Sequence, residues 1–307
     1  MLKKILSACT FSALILFLCA SISPQKQTAI LFDLNGVLFR LGKMKTVGHL
    51  GLGTMLSYMM QGGNLTSSEG PTQDANIEAR LFKLFELIDP EECSHEELMP
   101  LHKNVVLPKL MRDWLTGTVD SYDAITRVHN HIDYLASKNE FFINKTEIEL
   151  MKKLTTLVFD PEVRAEIYKP IKKGVDLVKA CKKRGHEVYL ISNMDTKLVE
   201  LLHAMHPEIF ALFDGKIISA EINTIKPYPD IYMYTLLNYN LDPDNCYLID
   251  DQHENLLGAE TVGIDGFLCN HRKYKNVIKA MIKEGLLEKS DIKKKNSGKT
   301  GQDSRDA

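Results

Sequence analysis

The run Ala29-Ile30-Leu31-Phe32 stops on Asp33, and Leu34, Asn35 and Gly36 follow at once. An uninterrupted apolar run that delivers its first polar side chain at its carboxyl end reads as a buried parallel strand. In open α/β sheets that end is where ligands bind. Asp33 is therefore placed for chemistry, with Asn35 beside it.

The same pattern returns later in the chain. Val188-Tyr189-Leu190-Ile191, Lys216-Ile217-Ile218-Ser219, Tyr247-Leu248-Ile249 and Gly266-Phe267-Leu268 are predicted strands. Helices are predicted over 172–184, 197–205, 230–237 and 253–262. This alternation implies an α/β fold with a doubly wound, Rossmann-like parallel sheet. The first strand joins that sheet across a long insertion. From Ala75 to Tyr168 the apolar period is helical throughout, as in Leu81, Leu84, Phe85 and Ile88. Asp120 or Ser121 is placed to cap one of these helices, and Asp160-Pro161-Glu162 starts another. Between Gly42 and Gly70 glycines interrupt the pattern, predicting a short helical piece over Met55–Met60 within a loop. The expected division is a catalytic core of 28–42 and 169–285, an all-helical insertion of 43–168, and a disordered polar tail of 286–307.

At 307 residues, 44% hydrophobic and 25% charged, the composition is that of a globular protein. A net charge of -2 gives no overall basic footprint for nucleic acid. Lys3 and Lys4 precede an apolar stretch, Ile5 to Ala20, with Ser21 and Ser23 after it. Residues 1–23 thus read as a signal peptide, and the chain as exported to the periplasm or secreted. The stretch is also close to spanning length, so a retained anchor, with membrane contact through it, is the alternative. Cys93, Cys181, Cys246 and Cys269 form no C-x-x-C pair, which gives no support for a zinc or redox motif. His129 and His131 fall on different faces of a helix and read as solvated, and Trp114 reads as core.

Three predicted strands end in polar residues: Asp33-Leu34-Asn35-Gly36, Ser192-Asn193 and Asp250-Asp251. Lys226 stands in the loop Thr224-Ile225-Lys226-Pro227. If the strands are parallel neighbours, these groups meet at one edge. A carboxylate there can attack phosphorus and form an acyl-phosphate. Phosphate and carboxylate repel each other, so a cation is needed, and Mg²⁺ takes oxygen ligands. Asp33 and Asp251 can supply carboxylates, and Asn35 its backbone carbonyl. Ser192, the amides after Asp33 and the Lys226 ammonium can hold the phosphoryl group.

These residues resemble the haloacid dehalogenase superfamily of hydrolases. Phe32-Asp33-Leu34-Asn35-Gly36-Val37 is similar to its first motif and Leu190-Ile191-Ser192-Asn193 to its second. Ile225-Lys226-Pro227 is similar to the third, and Ile249-Asp250-Asp251 with Asn255 to the fourth. The helical insertion resembles the cap that one subgroup carries after the first motif, though it is longer than the usual small bundle. The resemblance implies Asp33 as nucleophile and Ser192, Asn193 and Lys226 as phosphate holders. It implies Asp250 and Asp251 as the acidic pair at a Mg²⁺ site shared with Asp33 and the Asn35 carbonyl, Asp251 binding directly. The expected substrate is a small phosphorylated metabolite such as a sugar phosphate. Asn35 departs from the pattern, because phosphatases of this superfamily usually carry a second aspartate there as general acid and base. Losing that group costs about 10²–10⁴ in rate. Two alternatives follow: a phospho-ligand-binding protein without turnover, and a phosphotransferase or dehalogenase on the same core.

Overall fold

The computed structural model describes residues 28–65, 76–88, 107–269 and 273–292. Its strands are β1 (Ala29–Phe32), β2 (Phe39–Leu41), β3 (Tyr168–Pro170), β4 (Glu187–Ser192), β5 (Gly215–Ile218), β6 (Cys246–Asp250) and β7 (Asp265–Leu268). Five of them form one sheet in the order β5-β4-β1-β6-β7, every pairing parallel. The apolar runs of β1, β4 and β6 are continuous because these inner strands are covered on both faces. Ile30 and Phe32 lie in one core with Val188, Leu190 and Val178. Ala29 and Leu31 point the other way, into a second core with Tyr189, Ile191 and Ile231. Burying each Leu or Ile contributes about 1.5–3 kcal/mol.

The described residues between Leu41 and Tyr168 are helical, with their own core of Leu84, Phe85, Trp114, Val128, Ile132, Leu150 and Phe159. Trp114 is buried, with its ring edge-on to Phe159 at 4.9 Å. The Asp120 carboxylate accepts from the amides of Tyr122 and Asp123, and that of Asp160 from Val163, with Pro161 in the first turn.

Several boundaries differ from expectation. Where a loop with one short helical piece was expected, two helices form, Lys43–Leu50 and Leu52–Met60. Gly51, at φ 82°, makes the turn between them. Two strands flank the insertion where none was expected. β2 and β3 pair antiparallel, Phe39 opposite Pro170 and Leu41 opposite Tyr168, so the two ends of the insertion leave the sheet side by side. Ser219, read as the end of a strand, instead starts the Ser219–Ile222 helix. The tail begins later than residue 286. Leu286 and Leu287 are buried, Lys289–Ile292 is helical, and the His186 ring lies 2.6 Å from the Leu286 carbonyl oxygen. His129 and His131 are half-buried, not solvated, and the His129 ring contacts the Lys152 carbonyl oxygen at 3.2 Å. Cys181, Cys246 and Cys269 are buried free thiols.

Residues 1–23, Cys93 and 293–307 lie outside the described residues. Among the described residues no helix is long and apolar enough to cross a membrane.

Candidate active site at the carboxyl edge of the sheet

β1 lies between β4 and β6, with Phe32 in register with Leu190 and Ile249. The residues beyond that register converge. The Asp33 amide continues the ladder by donating to the Ile249 carbonyl at 2.9 Å. The first polar residues of all three strands, Asp33, Ser192 and Asp250, therefore share one edge, and all three are buried.

Lys226 closes the group from the loop before the Pro229–Tyr239 helix. Its side chain is 1% exposed. The ammonium donates to Asp33 Oδ1 at 2.7 Å, Asp250 Oδ2 at 2.6 Å and the Ile191 carbonyl at 3.1 Å, so its three hydrogens are all used. The other Asp250 oxygen accepts from the Gln252 amide at 2.9 Å and Asn255 Nδ2 at 3.0 Å. Ser192 Oγ stands 3.5 Å from Asp33 Oδ1, at the long limit for a hydrogen bond.

Asn193 takes a different role from the one expected. Its Oδ1 accepts from the Lys226 amide and its Nδ2 donates to the Lys226 carbonyl, both at 2.7 Å. Both ends of the amide are thus spent on loop backbone, so Asn193 positions Lys226 rather than reaching toward a phosphate. The Lys226-Pro227 peptide is cis.

Asn35 is exposed at the mouth of the edge, in a tight turn where the Gly36 amide donates to the Phe39 carbonyl at 2.8 Å. Gly36 has φ 83°, and a Cβ there would lie 1.9 Å from Asp251 Oδ2. Only glycine lets this turn pass so close to a carboxylate.

Carboxylate oxygens of Asp33, Asp250 and Asp251 lie within 4.8 Å of one another. One ammonium faces three carboxylates, leaving an excess of two negative charges in a largely buried place. Burial, reinforced by Asp250 and Asp251, pushes the Asp33 carboxyl up to about 7 despite Lys226. Asp251 is raised by burial and by Asp250. Burial works against the Lys226 ammonium, but Asp250 and Asp33 together hold its pKa above the usual lysine value.

Sequence reasoning missed the contacts that tie the helical region to this edge. Trp114 Nε1 donates to Ser121 Oγ and Ser121 Oγ to Asp195 Oδ2, both at 3.0 Å. Ser219 Oγ donates to the Leu115 carbonyl at 2.6 Å and accepts from the Met194 amide at 3.0 Å. Asp195 and Met194 directly follow Ser192-Asn193.

Comparison with known proteins places this arrangement. Residues 27–263 match the family model of the haloacid dehalogenase-like hydrolases. Over 98 residues, 32% of this chain, the sequence is 30% identical to the sesquiterpene phosphatase astK of Aspergillus oryzae. The match takes in 50% of that protein, so the chain spans about half the length of this curated relative. A HAD-like family hydrolase from Porphyromonas gingivalis superposes with a TM-score of 0.46 at 16% identity, over 84% of this chain and 97% of that one. A HAD family enzyme of Bacteroides thetaiotaomicron superposes with a TM-score of 0.43 at 15% identity, over 80% and 94%.

Proposed function

Because the chain belongs to the haloacid dehalogenase-like hydrolases, we propose that it hydrolyses phosphate monoesters with Mg²⁺ through an aspartyl-phosphate. The observation that carries this reading is the unbalanced charge: Asp33, Asp250 and Asp251 lie within 4.8 Å of one another, and the one buried ammonium pairs with Asp33 and Asp250 alone. The donor set is all hard oxygen and its excess charge matches a divalent cation, so these residues fit Mg²⁺. Asp33, Asp251 and the Asn35 carbonyl would hold it, with Asp250 beside them. When bound, the ion offsets the repulsion between the phosphate oxygens and the Asp33 carboxylate.

Asp33 is the nucleophile. Its carboxylate oxygen bonds to phosphorus as the ester P–O bond breaks, and the leaving alkoxide takes a proton. Water then attacks the aspartyl-phosphate, releasing inorganic phosphate and restoring the carboxylate. Lys226 orients Asp33 through the 2.7 Å contact, and Ser192 offers its hydroxyl to the transferring group. Asn35 cannot deliver the leaving-group proton, so that proton comes from water. Substrates with good leaving groups are favoured accordingly.

The helical region serves as a cap that closes over the edge and excludes water, fastened at the β2–β3 ribbon and at Asp195 and Ser219. The substrate is a small phosphorylated metabolite. Sugar phosphates belong in the set to be screened, and the relationship to a sesquiterpene phosphatase adds phosphates of apolar alcohols to it. The N-terminal segment directs the protein out of the cytoplasm.

A phosphate-release screen with Mg²⁺ tests the reading. Release that disappears on chelation and in Asp33→Ala supports it. Asn35 favours one second reading, a phospho-ligand binder. Tight binding of a phosphate mimic, with no release from any phosphoester, would establish that reading instead. Halide release without metal would move the assignment to dehalogenation.

A further inference from the structure

Most of the site owes its placement to the sheet. Asp33, Ser192 and Asp250 end paired strands or directly follow one, and Lys226 is bonded to two of them. The Asn35 carbonyl is different. It lies past the last paired residues of β1, in the turn that leads to β2. The turn closes on itself, the Leu38 and Phe39 amides donating to the Leu34 carbonyl at 2.9 and 2.8 Å. Those bonds fix its shape but not its position against the sheet.

Its position is set by two neighbouring carbonyls. That of Leu38 accepts from the Ile171 amide at 2.7 Å, and that of Val37 from the Tyr274 phenol at 2.5 Å. Tyr274 opens the Tyr274–Lys283 helix and is buried. Its phenol is also hydrogen-bonded to the Cys269 thiol, and the Cys269 amide donates to the Asp250 carbonyl at 2.7 Å. One bridge, Asp250–Cys269–Tyr274–Val37, thus ties the acidic pair to the turn that carries Asn35. Gly174 makes room for it: a Cβ there would lie 2.1 Å from the Val37 carbonyl oxygen and 3.2 Å from the phenol oxygen. The turn therefore meets tight contacts twice, at Gly36 against Asp251 and at Val37 against Gly174 and Tyr274. Cys269 and Tyr274 lie beyond residues 27–263, which match the family model.

We propose that Tyr274 is a positioning residue for the divalent-cation site, its bond to Val37 setting where the Asn35 carbonyl stands relative to Asp251. The inference rests on reading Asp33, Asp251 and the Asn35 carbonyl as the Mg²⁺ ligands. Groups that orient a metal ligand from outside typically govern affinity by about 10–100-fold. Asp33 is held by its own amide bond to Ile249 and by Lys226. Loss of the Tyr274 hydroxyl therefore acts on cation binding and leaves the nucleophile in place.

The test is calorimetric titration of Mg²⁺ into the metal-free full chain, which needs no substrate. Tyr274→Phe keeps the buried ring and removes only the hydroxyl. It is expected to weaken Mg²⁺ binding by about ten-fold. The Mg²⁺ concentration for half-maximal phosphate release should rise by the same factor, with kcat at saturating Mg²⁺ nearly unchanged. Met281→Ala, two turns further along the same helix and also buried, controls for loosened packing. It should lower the melting temperature and leave Mg²⁺ affinity where it was. Gly174→Ala displaces the Val37 carbonyl from the other helix. It should weaken Mg²⁺ binding although alanine is the better helix former, and it replaces Tyr274→Phe if that variant does not fold. Unchanged Mg²⁺ affinity in the variant titrated would overturn the inference and leave the metal-site reading intact. So would an equal loss in Met281→Ala. A wild type that binds no Mg²⁺ would remove the metal-site reading itself, and the inference with it.

Discussion

Glu147 in the helical region and Asp33 at the sheet edge are both buried carboxylates facing a cation, yet they are built to opposite ends. Glu147 accepts from Arg80 Nε on one oxygen and from the Ile143 amide at 2.6 Å on the other. Arg80 also donates to the Phe141 carbonyl and lies over the Phe141 ring at 4.8 Å. One anion meets one cation, and the charge closes. At the sheet edge a single ammonium serves Asp33 and Asp250 while Asp251 stands within reach of both. A buried charge therefore does not mark a site. A buried charge that the fold leaves unbalanced does, because something from outside must complete it.

Substituting one acid in each place should separate the two. Asp33→Asn should lower phosphate release by about 10⁴ or more, yet stabilise the metal-free protein. The sign follows from the Asp33 pKa, raised from 3.8 to about 7. Between those values the folded chain holds a proton that the unfolded chain has released, so stability falls as pH rises through the window. Asparagine does not titrate. In chelator, its melting-temperature advantage should build from about pH 4 and level off above about 7. A variant that is less stable than wild type at pH 8 would mean that the edge is balanced after all. Glu147→Gln should do the reverse. It leaves Arg80 under-compensated and should cost about 2–4 kcal/mol in denaturant unfolding, with turnover per folded molecule preserved. Lost turnover at full stability would make Glu147 part of the chemistry and break the contrast.

A smaller effect is expected where the edge meets solvent. Asn35→Asp restores an acid at the mouth of the site. It should raise turnover of alkyl phosphates by about 10–100-fold and of aryl phosphates, which need no proton on leaving, far less. A uniform fall across both substrate classes would show that the turn has been rebuilt around the amide.

The edge was legible because β1, β4 and β6 are apolar runs followed at once by, or ending on, a polar residue, and parallel pairing brings such ends together. Asp33, Ser192 and Asp250 sit where that logic puts them, and Lys226 joins them from a loop. The role of Asn193 was not legible. An amide directly after a strand end looks the same whether it faces a ligand or a loop, and only the 2.7 Å pair to Lys226 distinguishes them. The β2–β3 ribbon was hidden for a different reason. Phe39-Arg40-Leu41 and Tyr168-Lys169-Pro170 are too short to show a period, and each needs a partner distant in sequence. Three glycines masked the Lys43–Leu50 helix: Gly42 and Gly51 stand just outside its two ends, and Gly48 sits inside it against its low helix propensity.

The smallest effect tests the link between the two regions. Trp114, Ser121 and Asp195 form a chain of hydrogen bonds in which each polar atom has a partner, Asp195 spending its other oxygen on the Leu198 amide at 2.9 Å. Ser121→Ala strips the indole N–H of its acceptor inside a packed core and should cost about 1–2 kcal/mol. Trp114 is the single tryptophan, so its emission reports the change directly and should move to shorter wavelength as the bond is lost. If the link also positions the loop after Ser192, KM should rise a few-fold with kcat nearly unchanged, and Ser121→Thr should restore both emission and KM. Stability lost with KM unchanged would confine Ser121 to packing. An unmoved emission spectrum would show that the bond does not persist in solution, leaving the ribbon and the Ser219–Leu115 contact to join the two regions.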